Sequence, residues 1–81
     1  MKHNKKTAFH KYLQVLLLEQ DFDGGIMGLC KETGIKYRTM RDRLLYPRSL
    51  RWYEYISIVD SLRLDATQEA RLQASIKGVA A

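Results

Sequence analysis

Ile26-Met27-Gly28-Leu29-Cys30-Lys31-Glu32-Thr33-Gly34-Ile35-Lys36-Tyr37-Arg38-Thr39-Met40-Arg41-Asp42-Arg43-Leu44-Leu45 reads as two short helices divided by a glycine. Gly34 is the pivot, because glycine enters the left-handed conformation that lets a chain stop one helix and begin another within three or four residues. Before it, a helix is predicted from about Gly24 to Glu32, with Ile26, Leu29 and Cys30 turned inward. After it, Ile35 plugs the corner and a helix runs from Lys36 to Leu45, burying Met40 and Leu44. The remaining faces of that helix carry Lys36, Tyr37, Arg38, Arg41, Asp42 and Arg43. Tyr46-Pro47 closes it, since a residue before proline is pushed out of the helical region.

The spacing is that of a helix-turn-helix unit, which places its second helix in the major groove of DNA. Counted from Ile26, Leu29 is fourth, Cys30 fifth, Gly34 ninth, Ile35 tenth and Met40 fifteenth. Those are, in order, the places for a core residue, a residue small enough for close helix approach, a left-handed turn, a second core residue and an anchor for the recognition helix.

Outward from this unit the chain stays helical. From Thr7, a cap, to about Gln20, apolar residues fall at Phe9, Leu13, Leu16 and Leu17 with Tyr12 beside them, a one-sided helical stripe. Asp21 to Gly25 breaks it, and Asp23 is the expected N-cap of the next helix. Beyond Pro47, Ser49 is the expected cap of a fourth helix reaching about Arg63. Trp52, Tyr55, Val59 and Leu62, with Ile58 alongside, line its core face. Asp65-Ala66-Thr67 reads as a turn and cap before a fifth helix, about Gln68 to Lys77, whose weak apolar side is Ala70, Leu72 and Ile76. No strand-like alternation, repeat or low-complexity segment occurs. The expected architecture is an all-α domain of five helices over residues 7–77, with a flexible basic arm at residues 1–6 and a frayed tail at 78–81.

A chain of 81 residues holds one domain, with a core that buries only roughly 60% of the unfolded surface. Cys30 is the sole cysteine, which excludes an internal disulfide and multi-cysteine zinc sites and fits a reducing cytoplasm. His3 and His10 have no partner at ligand spacing, so no metal is expected. The apolar run Val15 to Leu18 falls far short of the roughly 18 residues of a membrane span. No small-residue cleavage pattern follows it either, and the expected location is the cytoplasm, on the nucleoid. There is no nucleophilic triad, glycine-rich phosphate loop or framed carboxylate pair, so neither an enzyme nor a cofactor or small-molecule ligand is expected.

The net charge of +5 is unevenly spread. Residues 1–11 carry +4 and residues 34–51 carry +5, while 12–33 carry −3 and 52–81 carry −1. The second basic segment is rich in Arg, the side chain shaped for phosphates and guanine edges.

The stretch Gly34-Ile35-Lys36-Tyr37-Arg38-Thr39-Met40, followed by Leu44, Pro47, Leu50 and Ile58-Val59-Asp60-Ser61-Leu62, resembles the lambda-repressor-like family of phage repressors and Cro-type regulators. Small regulators of phages and mobile elements in Gram-positive bacteria look especially similar. The resemblance spans about Ile26 to Leu64, half the chain. It implies a five-helix domain, usually dimeric, that binds a palindromic operator and represses or activates transcription. Two places depart from the pattern. Arg43 stands at position eighteen, where the family has a buried aliphatic residue, so Leu44 or Leu45 must take over the packing. Gly24-Gly25 replaces the glutamine that many relatives carry at the start of the first motif helix, and Asp21 and Asp23 would repel a phosphate there.

The resemblance places Lys36, Tyr37, Arg38, Arg41 and Asp42 where family members touch bases and phosphates, with Arg41 as the bidentate guanine contact. Asp42 either accepts from cytosine or orients Arg38 or Arg41, and Thr39 either touches DNA or only packs. Arg48, Ser49 and Arg51, at the start of the fourth helix, suit backbone phosphates. The N-terminal lysines form an arm along DNA or a plain solubilising tail. Trp52 is expected in the core, and Tyr53, Ile56 and the fifth helix are candidate dimer contacts. The partners expected are double-stranded DNA and a second copy of the chain, with no membrane. The alternative is a protein-binding module, an inhibitor or antirepressor, on the same fold. RNA binding is disfavoured because exposed aromatic platforms are not expected.

Overall fold

Each helix of this chain begins where a cap or a glycine allows it and buries one stripe. The computed structural model describes residues 6–78. Its helices are α1 (Ala8–Glu19), α2 (Gly25–Thr33), α3 (Tyr37–Leu45), α4 (Trp52–Leu62) and α5 (Ala66–Ile76), with a 3-10 turn at Pro47–Ser49 between α3 and α4. The architecture is all-α, and no strand occurs among the described residues. Most of the expected basic arm and frayed tail falls on residues 1–5 and 79–81, outside the described residues.

Thr7 caps α1, its hydroxyl accepting from the His10 N–H at 3.1 Å. The stripe Phe9, Leu13, Leu16 and Leu17 is buried as expected, and Tyr12 is half-buried against it. At the other end, Gln20 Nε2 donates to the Leu62 carbonyl at 2.7 Å, which ties the end of α1 to the end of α4. α1 packs against α5 and α2, and α2 packs against α4.

α2 starts differently from the expectation. Gly24, at φ +82°, is the N-cap and no side chain caps the helix, so Asp23 does not take that place. The cause is the tightness of the bend. The Gly24 carbonyl already accepts from the Gly28 N–H at 3.0 Å, and a Cβ on Gly28 would stand 1.8 Å from the Asp23 carbonyl oxygen. Gly28 is therefore a close-approach glycine.

The α2–α3 junction is as expected. Gly34 has φ +78° and returns its N–H to the Cys30 carbonyl at 2.9 Å. Thr33 Oγ1 donates to the Leu29 carbonyl at 2.8 Å and accepts from the Ile35 N–H at 3.2 Å, which closes the corner. Ile35 is buried there, and Leu29, Cys30, Met40 and Leu44 are buried on the two helices, with Ile26 half-buried.

The entry to α4 departs most from the expectation. Ser49 does not cap the helix: it ends the 3-10 turn, and its hydroxyl donates to the Tyr46 carbonyl at 2.6 Å. Arg51 is the N-cap, and the Glu54 carboxylate accepts the Arg51 N–H at 2.9 Å. Trp52 is 72% exposed and not core, while Glu54 is only 2% exposed. The buried place at the start of α4 is thus held by a carboxylate, and Trp52 stacks on Tyr55 with ring centroids 5.6 Å apart. Tyr55, Ile58, Val59 and Leu62 are buried as expected.

α5 opens on a reciprocal cap. Asp65 Oδ1 accepts from the Gln68 N–H at 2.8 Å and Gln68 Oε1 accepts from the Asp65 N–H at 3.0 Å. Leu72 and Ser75 are buried and Ile76 is half-buried, but Ala70 is exposed and does not belong to the inward side. Among the described residues no helix is long and apolar enough to cross a membrane.

Candidate nucleic-acid interface

α3 is anchored by Met40 and Leu44, and the residues that these leave on the outside are mostly basic. Lys36, the N-cap, and Tyr37, Arg38, Arg41 and Asp42 are all exposed. Thr39 is half-buried and lines a small cleft with Lys36, Tyr53 and Ser57 between the turn, α3 and α4. Tyr53, 65% exposed, thereby stands beside Lys36 and Thr39, a neighbour that helical periodicity alone could not reveal.

Among the described residues the one ion pair is that of Arg43 with Glu54. Asp42 therefore holds neither Arg38 nor Arg41 in an ion pair, and both guanidinium groups face solvent. On the opposite side of Arg41, a cleft is formed with Lys6, His10, Ile26, Tyr37, Leu44 and Leu45. Burial, and then the charge of Lys6, lowers the pKa of His10, which keeps that imidazole neutral near pH 7. Lys6 itself donates to Gln14 Oε1 at 2.8 Å.

Arg43 stands where the resemblance would place a buried aliphatic residue. Leu44 is buried and Leu45 is exposed, so Leu44 alone takes over the packing. Arg43 turns toward α4 instead, with Nε donating to Glu54 Oε1 at 2.8 Å and Nη2 to Oε2 at 3.4 Å. Burial pushes the Glu54 carboxyl upward. The Arg43 hydrogen bond, the Arg51 N–H and the charges of both arginines outweigh it and hold the pKa below the usual glutamate value. The same hydrogen bond raises the pKa of Arg43.

Arg48, Ser49 and Arg51 are exposed on the segment leading into α4. Arg48 Nη2 lies 3.4 Å from the Lys77 carbonyl, which it reaches from the loop, and the Ser49 hydroxyl is engaged by the Tyr46 carbonyl. Arg51 is thus the least committed of the three. The exposed aromatics are more numerous than expected: Tyr37, Tyr46, Trp52 and Tyr53 all face solvent. Trp52 borders an apolar cleft of about 380 Å³ with Pro47, Leu50, Tyr55 and Ile76. Among the described residues no three His, Cys, Asp or Glu side chains gather as a metal site would need.

No protein-family model, curated protein or solved structure matches this chain.

Proposed function

We propose that this chain is a sequence-specific DNA-binding regulator of transcription with a lambda-repressor-like helix-turn-helix fold, of the kind found in phages and mobile elements. α3 enters the major groove, and two copies bind a palindromic operator. The observation that carries the reading is the division of α3: Met40 and Leu44 are buried behind the Gly34 turn, while Arg38 and Arg41 project without a carboxylate partner among the described residues. Arg38 and Arg41 are left free to meet an anionic partner, and Arg is the side chain that pairs bidentately with guanine.

In this reading Lys36, Tyr37, Arg38, Thr39, Arg41 and Asp42 face bases and nearby phosphates, with Arg41 on guanine. Arg48, Ser49 and Arg51 meet the backbone. A single short helix touches few base pairs, so a dimer on half-sites roughly 34 Å apart, or a multiple of that, supplies the specificity. The test is a selection: the purified chain is mixed with a pool of random-sequence duplexes, and enrichment of a two-fold symmetric sequence supports the reading. A pool that emerges unenriched contradicts it.

A second reading, a protein-binding module, is favoured by the apolar cleft beside Trp52, a solvent-facing feature that DNA recognition does not require. A protein-binding module has no need of the unpaired arginines on α3, which is why DNA binding is the preferred reading.

A further inference from the structure

Glu54 is the most buried charged residue described, and it makes two attachments from one place. Its Oε1 accepts the Arg51 N–H at 2.9 Å, which satisfies the first turn of α4. The same carboxylate holds the Arg43 guanidinium through Nε at 2.8 Å and Nη2 at 3.4 Å. Arg43 Nη1 also lies 3.4 Å from Ser49 Oγ, so the side chain spans the loop as well as the two helices. Between α3 and α4 the backbone runs through Tyr46, the 3-10 turn, Leu50 and Arg51.

We propose that Glu54 is a positioning residue, which through Arg43 fixes the reading helix α3 relative to Arg51 at the head of α4. The inference rests on the DNA-binding reading and deepens it. Base readout by Arg41 and phosphate contact by Arg51 must occur together, from two helices joined by a loop. A planar, bidentate pair at a buried carboxylate sets both distance and orientation, which a single apolar contact does not. The aliphatic residue that the family resemblance would place at position eighteen could anchor α3 by packing. It could not define its rotation about the α4 terminus in this way.

A loss of position differs from a loss of stability in what it does to binding. Partial unfolding lowers affinity for every duplex by the same factor and leaves the ratio between two duplexes unchanged. A loosened α3 weakens the selected duplex and spares a scrambled one, because random DNA is held by charge and tolerates variable geometry.

The experiment compares the full chain and three variants on two duplexes, the one enriched from a random-sequence pool by the wild-type chain and a scrambled duplex of the same length. Glu54→Gln keeps an acceptor for the Arg51 N–H but loses the charge that holds Arg43. A double variant, Arg43→Met with Glu54→Leu, replaces the pair with apolar side chains that can pack and preserve the fold. In both, the ratio of affinities for selected over scrambled duplex should fall about tenfold, the equivalent of roughly one base contact. Affinity for the scrambled duplex should hold, or rise in Glu54→Gln, where one negative charge is gone. Arg43→Lys, which keeps the charge without the fork, should lie between. An unchanged ratio in Glu54→Gln and in the double variant overturns this inference alone. Failure of the wild-type chain to enrich any duplex overturns the DNA-binding reading and this inference with it.

Discussion

Thr7 Oγ1 donates to the Leu44 carbonyl at 2.7 Å while accepting from the His10 N–H at 3.1 Å, so one hydroxyl caps the start of α1 and satisfies a carbonyl in the last turn of α3. Both groups would otherwise lack an intrahelical partner. Thr7→Ala should therefore cost about 1–2 kcal/mol of stability, the sum of a lost cap and a lost tertiary hydrogen bond. Thr7→Ser should recover most of it. Urea denaturation of the two variants checks this, and equal losses in both would mean that the methyl group, not the hydroxyl, matters.

The Arg43–Glu54 pair gives stability a defined pH dependence. The folded pKa of Glu54 lies below its ordinary value, so the ionised carboxylate stabilises the native state above about pH 4.3, and that contribution is lost as pH falls through the folded pKa. Urea midpoints of the wild type and Glu54→Gln should differ at pH 7 and converge on acidification. Arg43→Met strands the carboxylate, at 2% exposure, without its cation, and should cost about 3 kcal/mol at neutral pH. With that cation gone, burial opposes ionisation of Glu54 more than in the wild type, so acidification should cost this variant less stability than it costs the wild type. A variant that lost as much stability on acidification as the wild type would refute the assignment.

Much of this fold was legible in the sequence because its signals are local. Gly34, Ile35, Met40 and Leu44 stand at spacings that fix a corner and two inward faces, and the α1 stripe repeats at helical period. The start of α4 was not legible, since apolar periodicity assigns the core place to Trp52 and counts a glutamate as solvated. The approach of Arg43 from another helix, together with the Arg51 N–H, offsets the cost of burying Glu54. The close approach at Gly28 was hidden for a similar reason: it depends on the path of the chain at Asp23. The exposed residues of α3 were placed as expected, but their unpaired state is a property of the folded surface.

Two glycines should respond to alanine for different reasons. Gly28→Ala would normally favour a helix, yet its Cβ would meet the Asp23 carbonyl oxygen at 1.8 Å, so it should destabilise by about 1–3 kcal/mol. At Gly34 nothing lies within 4 Å of an added Cβ, and the cost of Gly34→Ala, about 1–2 kcal/mol, comes from φ +78° alone. Asparagine, which tolerates that conformation, should therefore rescue position 34 and not position 28. Thermal melts of the four variants decide, and rescue at both positions would contradict the steric account of Gly28.

Arg41 and Arg51 are both exposed but stand on different helices, and the account gives them different tasks. Arg41→Ala should cost about 1–3 kcal/mol on the selected duplex and much less on scrambled DNA, the mark of direct readout. Arg51→Ala should weaken both about equally and reduce the salt slope by about one unit. Neither should alter folding by much, as exposed arginines contribute little to stability. Reversed behaviour, with base preference moved by Arg51 and not by Arg41, would remove α3 from the reading role.

The most direct test of the central claim, that the exposed basic face of α3 meets DNA, is the affinity of the purified chain for its selected duplex as a function of salt. If each subunit neutralises about five phosphates, log K should fall against log salt with a slope near −4.5 per subunit, and the preference over a scrambled duplex should persist along the titration. A flat titration, or one with no preference at any salt concentration, would contradict sequence-specific DNA binding.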